Sequence, residues 1–170
     1  MHPNQIVSNP AFAQTNIRAL VFDLFAILFI YMVPTLTHLI GIKLYMLEPM
    51  RLMVILAMVH TRRQNAYILA MTLPLFSFVV ASHPVFIKSA LIGVELLAMV
   101  FAFFTLTRFM HKLAAIFISI WISKLLYYLL KYLAIMTVLP AEPLVGTPLL
   151  LQLLTSAIFS FYVFLLFRDK

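Results

Sequence analysis

Apolar segments long enough to cross a membrane follow one another along almost the whole chain. The stretches LVFDLFAILFIYMV (20–33) and LLLQLLTSAIFSFYVFLLF (149–167) contain one charged residue between them. Of the 170 residues, 65% are hydrophobic and 10% are charged, whereas a soluble domain carries about 25% charged residues. A helix needs about 20 apolar residues to cross the hydrocarbon core. The sequence therefore predicts an all-α integral membrane protein, a polytopic helical bundle that forms a single domain over residues 1–170.

The boundaries of the apolar segments predict six transmembrane helices joined by short loops. Residues 1–16 have no basic stretch ahead of an apolar core, so they read as a short cytoplasmic segment and not as a cleaved signal peptide. The second and third helices are short and interrupted by proline, so a re-entrant unit in their place, which lowers the count to four, stays open. The six predicted helices cover residues 17–39, 44–60, 66–81, 84–107, 112–138 and 148–167.

The distribution of lysine and arginine predicts which side of the membrane each loop faces. Basic residues are enriched in cytoplasmic loops. With both termini in the cytoplasm, the outer side keeps only Lys43 and Lys88. The inner side then holds Arg18, Arg62, Arg63, Arg108, Lys112, Arg168 and Lys170. We therefore predict an N-in, C-in arrangement, which requires an even number of spans.

Several classes of chemistry find no support in the composition. The chain has no cysteine and three glycines, which excludes thiolate chemistry and leaves no room for a Gly-rich phosphate loop. The five histidines are dispersed, so we predict no metal site, no cofactor and no enzymatic activity. The net charge of +7 is explained by cytoplasmic loops, and we predict no nucleic-acid partner.

Six ionisable residues lie inside the predicted spans. Each costs about 2.5–3.5 kcal/mol at the membrane centre, so such residues face the bundle interior and are candidates for a functional site. A wholly structural ion-pair network is the competing interpretation. Helical depth predicts that Glu95 pairs with Lys124 near mid-membrane, and that Asp23 lies near the inner face, within reach of Arg18 and the inner basic loops. The six residues are Asp23, Glu48, Arg51, Glu95, Lys124 and Lys131.

The segment EPMR (48–51) predicts a break in the second span. Pro49 suits a first helical position and makes Glu48 the cap residue. Only 12 residues then remain up to His60, about 18 Å, which is too short to cross the membrane. We therefore expect residues 44–48 to be non-regular and EPMR to form one wall of a polar pocket open to the outside. The residues predicted to bind an anionic solute there are Glu48, Arg51, His83, Lys88, Glu95, Lys124, Tyr128 and Lys131.

A polar stripe on the last helix, at Gln152, Ser156 and Ser160, predicts hydrogen bonds between helices, because these positions recur at i, i+4 and i+8.

The chain resembles the substrate-binding S components of energy-coupling-factor vitamin transporters in length, in its six short-looped helices and in a pocket near the outer face. That family uses small-residue faces to contact a coupling subunit. Here the first helix, RALVFDLFAILFI, lacks the family's Ala-x-x-x-Ala pattern, which occurs instead on the third and fourth helices. The resemblance implies a bacterial cytoplasmic membrane and, as partners, a coupling protein and ATPases. The implied partner contacts are Ala66, Ala70, Ala98 and Ala102.

The function expected from these features is capture of a small solute by a membrane-embedded transporter subunit. Two alternatives stay open. The chain is also similar in size and hydropathy to the rod-shape protein MreD, which makes a non-catalytic scaffold subunit the second interpretation. An intramembrane enzyme acting on lipid is the third.

Overall fold

The computed structural model describes residues 10–41, 44–81, 85–138 and 143–167. Within these ranges the protein is all-helical and contains no strand. The helices are α1 (Pro10–Ile40), a short 3-10 helix (Leu44–Leu47), α2 (Pro49–His60), α3 (Arg63–Ala81), α4 (Phe86–Leu106), α5 (Lys112–Thr137) and α6 (Leu149–Phe167).

All six predicted helices are present close to their predicted positions, and the largest differences are at the starts of α1, α2 and α3. Helix α1 begins at Pro10, seven residues before its predicted start. Helix α2 begins at Pro49, which occupies its first turn as predicted. Residues 44–47 form a separate 3-10 helix, so the predicted break before Pro49 is confirmed, although the segment ahead of it is a 3-10 helix and not non-regular backbone.

Four helices in the described part of the chain are long and apolar enough to cross a membrane. They are Ile17–Ile40, Phe86–Leu106, Lys112–Thr137 and Leu149–Leu166. Helix α2 has 12 residues, about 18 Å, and α3 begins with the polar run 63–65. The protein is thus a multi-pass membrane protein by helix length and composition, with α2 and α3 outside the set of clear spans.

Helix α2 occupies the centre of the bundle. Seven of its 12 residues are buried, and it packs against α1, α3, α4 and α6. A helix that is covered on nearly every side belongs to a core. The longer helices surround it, with α3, α4, α5 and α6 packed in chain order. The polar residues at the start of α2 are therefore brought into the interior.

Helix α1 has the opposite character. It packs mainly on α3, α2 and the 3-10 helix, and it leaves a long apolar face uncovered. Leu20 and Leu24 are each 60% exposed, a degree of exposure that suits contact with lipid chains.

The small-residue pairs lie in two different environments. Ala66 and Ala70 are completely buried, and a Cβ added at Gly93 would lie 3.9 Å from the carbonyl oxygen of Ala70. The chain's own helices thus cover both alanines, and Ala70 lies where α3 packs on α4. Their predicted partner contact stays a prediction. Ala98 and Ala102 are half-buried on α4, and their predicted partner contact stays a prediction.

Candidate functional site

The shortness of α2 determines the depth of its first turn. Helix α4 has 21 residues, about 31 Å, so α2 starts about 13 Å below the end of its longer neighbour if their other ends are level. Glu95 lies nine residues into α4, which is also about 13 Å. The 3-10 helix fills part of the space above α2 and packs on α1 and α6.

Four charged side chains from three elements meet at this depth. Arg51 donates through Nη1 to Glu48 and through Nη2 to Glu95. Lys124, on α5, donates to the other carboxylate oxygen of Glu48. The order of contacts is Glu95, Arg51, Glu48, Lys124, so negative and positive groups alternate. We call these four residues the charge network.

The charge network is neutral and almost closed to solvent. Two carboxylates face two cations, and Arg51 and Lys124 are each 3% exposed. The side chain of Glu48 is the most open, at 18% exposed. Charges that are desolvated in this way depend on one another, because removing one partner leaves an uncompensated buried charge.

The prediction that Glu95 pairs with Lys124 is wrong, because each residue has a different partner. Depth reasoning placed both residues at the correct level, and both belong to the charge network. However, Glu95 pairs with Arg51 and Lys124 pairs with Glu48. The deep start of α2 brings the guanidinium of Arg51 between the two acids.

The backbone at Glu48 is unusual. Its φ of 54° and ψ of 56° are left-handed, a conformation that is uncommon outside glycine. Glu48 precedes α2 as predicted, but its side chain does not cap the helix. The carboxylate contacts Arg51 and Lys124 instead.

One buried donor in the charge network has no partner. Arg51 Nε makes no hydrogen bond, although the rest of the guanidinium is bound by carboxylates. The other partnerless buried side-chain atoms in the described residues are Thr37 Oγ1 and Trp121 Nε1. Such groups are few in native proteins and often mark a place for water, an ion or a ligand.

The other predicted solute-binding residues lie outside the charge network. Lys131 donates to the carbonyl oxygen of Pro143 at 2.8 Å, and its ammonium lies 5.9 Å from the ring centre of Tyr127. Lys88 is half-buried in the first turn of α4. His83 lies outside the described residues, so its predicted role stays a prediction.

Tyr128 connects α5 to α6. Its hydroxyl lies 2.9 Å from Oε1 of Gln152, and Gln152 Nε2 also donates to the carbonyl oxygen of Thr147 at 2.7 Å. The prediction of interhelical bonding from α6 is confirmed for Gln152. It is wrong for Ser156 and Ser160, whose hydroxyls donate to carbonyls one turn earlier in the same helix.

Two polar contacts were not expected from the sequence. Asn65 donates to Asp23 at 2.7 Å, so the partner of Asp23 is an amide on α3 and not Arg18. His60 Nε2 lies 2.8 Å from the hydroxyl of Tyr162. Each contact joins residues far apart in the chain. No spacing between nearby residues predicts either contact.

Comparison with metal-site patterns and with known proteins assigns no further role to the described residues. Among the described residues, no group of three or more histidines, cysteines or acids could hold a metal ion. The sequence matches no family model, no curated protein and no solved structure.

Proposed function

We propose that this protein is a non-catalytic, membrane-embedded subunit of a transporter that binds a small solute at the charge network. The observation that carries the proposal is the buried set of Glu48, Arg51, Glu95 and Lys124 in the centre of the bundle. The proposal includes six spans with both termini in the cytoplasm, and a site that opens to the outer side.

Inserting the charge network into a membrane is costly. Four charges cost about 10–14 kcal/mol on insertion scales before pairing offsets part of it. Replacing a buried ion-pair set with well-packed apolar residues is often neutral or stabilising. Stability alone therefore gives little reason to keep these four residues, whereas recognition of a charged solute does.

The surroundings of the charge network favour the same role. The irregular segment that ends at Glu48 is tolerated at membrane depth only where protein or a water-filled cavity covers it, and interrupted helices are used in this way around transporter sites. The unsatisfied Nε of Arg51 offers a donor to an arriving group. By its resemblance to energy-coupling-factor S components, the subunit would act with a coupling protein and ATPases in a bacterial cytoplasmic membrane.

A scaffold role is the second candidate, and one observation favours it. Both acids and both bases of the charge network are already paired, as a purely structural set requires. In that case the network fixes the position of α2, and the protein serves to assemble other membrane subunits.

A charge-balanced variant separates the two roles. Arg51→Met with Glu95→Gln removes one cation and one anion and leaves Glu48 paired with Lys124. Wild-type protein, the double variant and the control Arg63→Met would be purified, and their bound small molecules identified by mass spectrometry of solvent extracts. Arg63 is an exposed residue at the start of α3.

We expect a solute in roughly equal molar amount in the wild type and in Arg63→Met, and its loss from a double variant that stays folded. The same small molecule in all three preparations, or none in any, contradicts the proposal and favours the scaffold role. Thermal unfolding of the same samples in detergent shows whether the double variant remains folded.

A further inference from the structure

The carboxylate of Glu48 is held as a bound ligand's carboxylate would be held. One oxygen accepts from Arg51 and the other from Lys124. Charge-assisted contacts at both oxygens are the strong way to bind a carboxylate. Glu95 is held differently, because only one of its carboxylate oxygens accepts from the charge network, from Arg51 Nη2.

The backbone that carries Glu48 is weakly held compared with its partners. Glu48 follows a four-residue 3-10 helix with no buried residue, and its left-handed φ of 54° is a strained conformation for a non-glycine residue. Arg51 and Lys124 lie on regular helices and are almost fully buried. Movement of residues 44–48 can therefore withdraw the carboxylate while both cations stay in place.

The free donor of Arg51 shows that the guanidinium is not fully used by the chain's own acids. Its Nη1 and Nη2 donate to Glu48 and Glu95, while Nε has no partner. A guanidinium can donate through Nε and an Nη along one edge to a single oxyanion. Because Nε shares that edge with Nη2, the free donor lies beside Glu95 and not at the position of Glu48.

We infer that Glu48 is an internal substitute for the ligand, and that the solute carries a carboxylate which replaces Glu48 between Arg51 and Lys124. Glu95 keeps Arg51 in position during the exchange, so the cations are never without a counter-charge. This inference rests on the proposed function and adds to it the chemical class of the solute and a specific role for one residue.

The experiment removes the internal carboxylate and supplies a free one. Glu48→Gly suits the left-handed backbone, which glycine adopts without strain, and leaves Arg51 and Lys124 with a vacant position between them. The melting temperature of the purified variant would be measured in sodium acetate and in sodium chloride at equal ionic strength. Acetate is the probe because it presents a carboxylate with a minimum of other groups.

We expect acetate to raise the melting temperature of Glu48→Gly by about 2–4 °C over chloride, with a much smaller difference in the wild type. Two controls test the site. Glu48→Gly with Lys124→Met keeps the charge balanced but removes the ammonium that would contact one oxygen of acetate. This double variant should lose the acetate effect. Glu95→Gln, which removes the other negative charge without opening a space beside Arg51, should show no preference for acetate because Glu48 still occupies the position.

An equal response of Glu48→Gly to acetate and chloride overturns the inference, as does an acetate effect that persists without Lys124. If Glu48→Gly is too unstable to purify in chloride, the yield of monodisperse protein solubilised in each salt replaces the melting temperature, with the same expected sign. A solute that co-purifies without any acetate effect leaves the proposed function standing and refutes the exchange. An acetate effect without a co-purified solute establishes the carboxylate site and refutes the transporter role.

Discussion

Arg51 is the residue on which the interior of this protein depends most. It is 3% exposed and connects two acids that lie 47 residues apart in the sequence, Glu48 and Glu95. Without Arg51, Glu95 has no ion pair among the contacts of the charge network. Single substitutions here should therefore be far more damaging than matched double substitutions, because only the former leave an unpaired buried charge.

A double-mutant cycle tests this dependence. Glu95→Gln alone should cost about 3–5 kcal/mol, as breaking a buried pair does, and Arg51→Met with Glu95→Gln should recover much of that loss. Chemical unfolding in detergent gives the free energies. The cycle with Lys124→Met serves as a comparison and should show a smaller coupling to Glu95. A coupling that is equal for both cations contradicts the arrangement described here.

At the scale of the element, α2 is a short helix that is defined at both ends by specific residues. Pro49 begins it, and Thr61 ends it by donating from its hydroxyl to the carbonyl oxygen of Ala57 at 2.6 Å. Its neighbours α3 and α4 approach closely at Ala70 and Gly93, which are small and buried. The position of α2 therefore depends on small-residue packing around it.

Enlarging one of these small residues should displace the packing. Ala70→Leu should lower the free energy of unfolding by about 1–3 kcal/mol, the usual cost of overpacking, while Ala90→Leu on the exposed side of α4 should change it by less than about 0.5 kcal/mol. Unfolding in detergent measures both. If Ala70 instead contacted another subunit, Ala70→Leu would leave the isolated protein unchanged and weaken only its association.

At the scale of the whole molecule, the membrane arrangement is inferred from helix length and from the distribution of basic residues. Four helices are clear candidates for spans, and the basic residues favour cytoplasmic termini. In the proposed six-span arrangement, α2 crosses together with the 3-10 helix that precedes it, and α3 runs back from the short turn at Thr61.

Cysteine labelling tests this arrangement, and the chain has no native cysteine to interfere. Gln64 and Gly146 are both exposed and lie at opposite ends of the bundle. With an impermeant thiol reagent on intact cells, Gly146→Cys should react and Gln64→Cys should react only after the membrane is opened. The reverse pattern, or no difference between the two, contradicts the predicted orientation.

The sequence by itself determined the helical class, nearly all helix positions and the break before α2. Long apolar runs, Pro49 and the shortness of residues 49–60 act locally, so they can be interpreted without knowing the neighbours. It also identified which charged residues lie in the interior, because a charge in a membrane span must face protein or water. The level of Glu95 followed from counting residues along one helix.

Only the tertiary structure decided how those charges pair. Which of two acids a cation reaches depends on the depth and rotation of α2 relative to α4 and α5, and neither quantity is encoded in the spacing of any single segment. The same reason explains why Asp23 pairs with Asn65, and why Ala66 and Ala70 face inward. Contacts between distant segments depend on the packing of all the helices together, and a single sequence gives no measure of that packing.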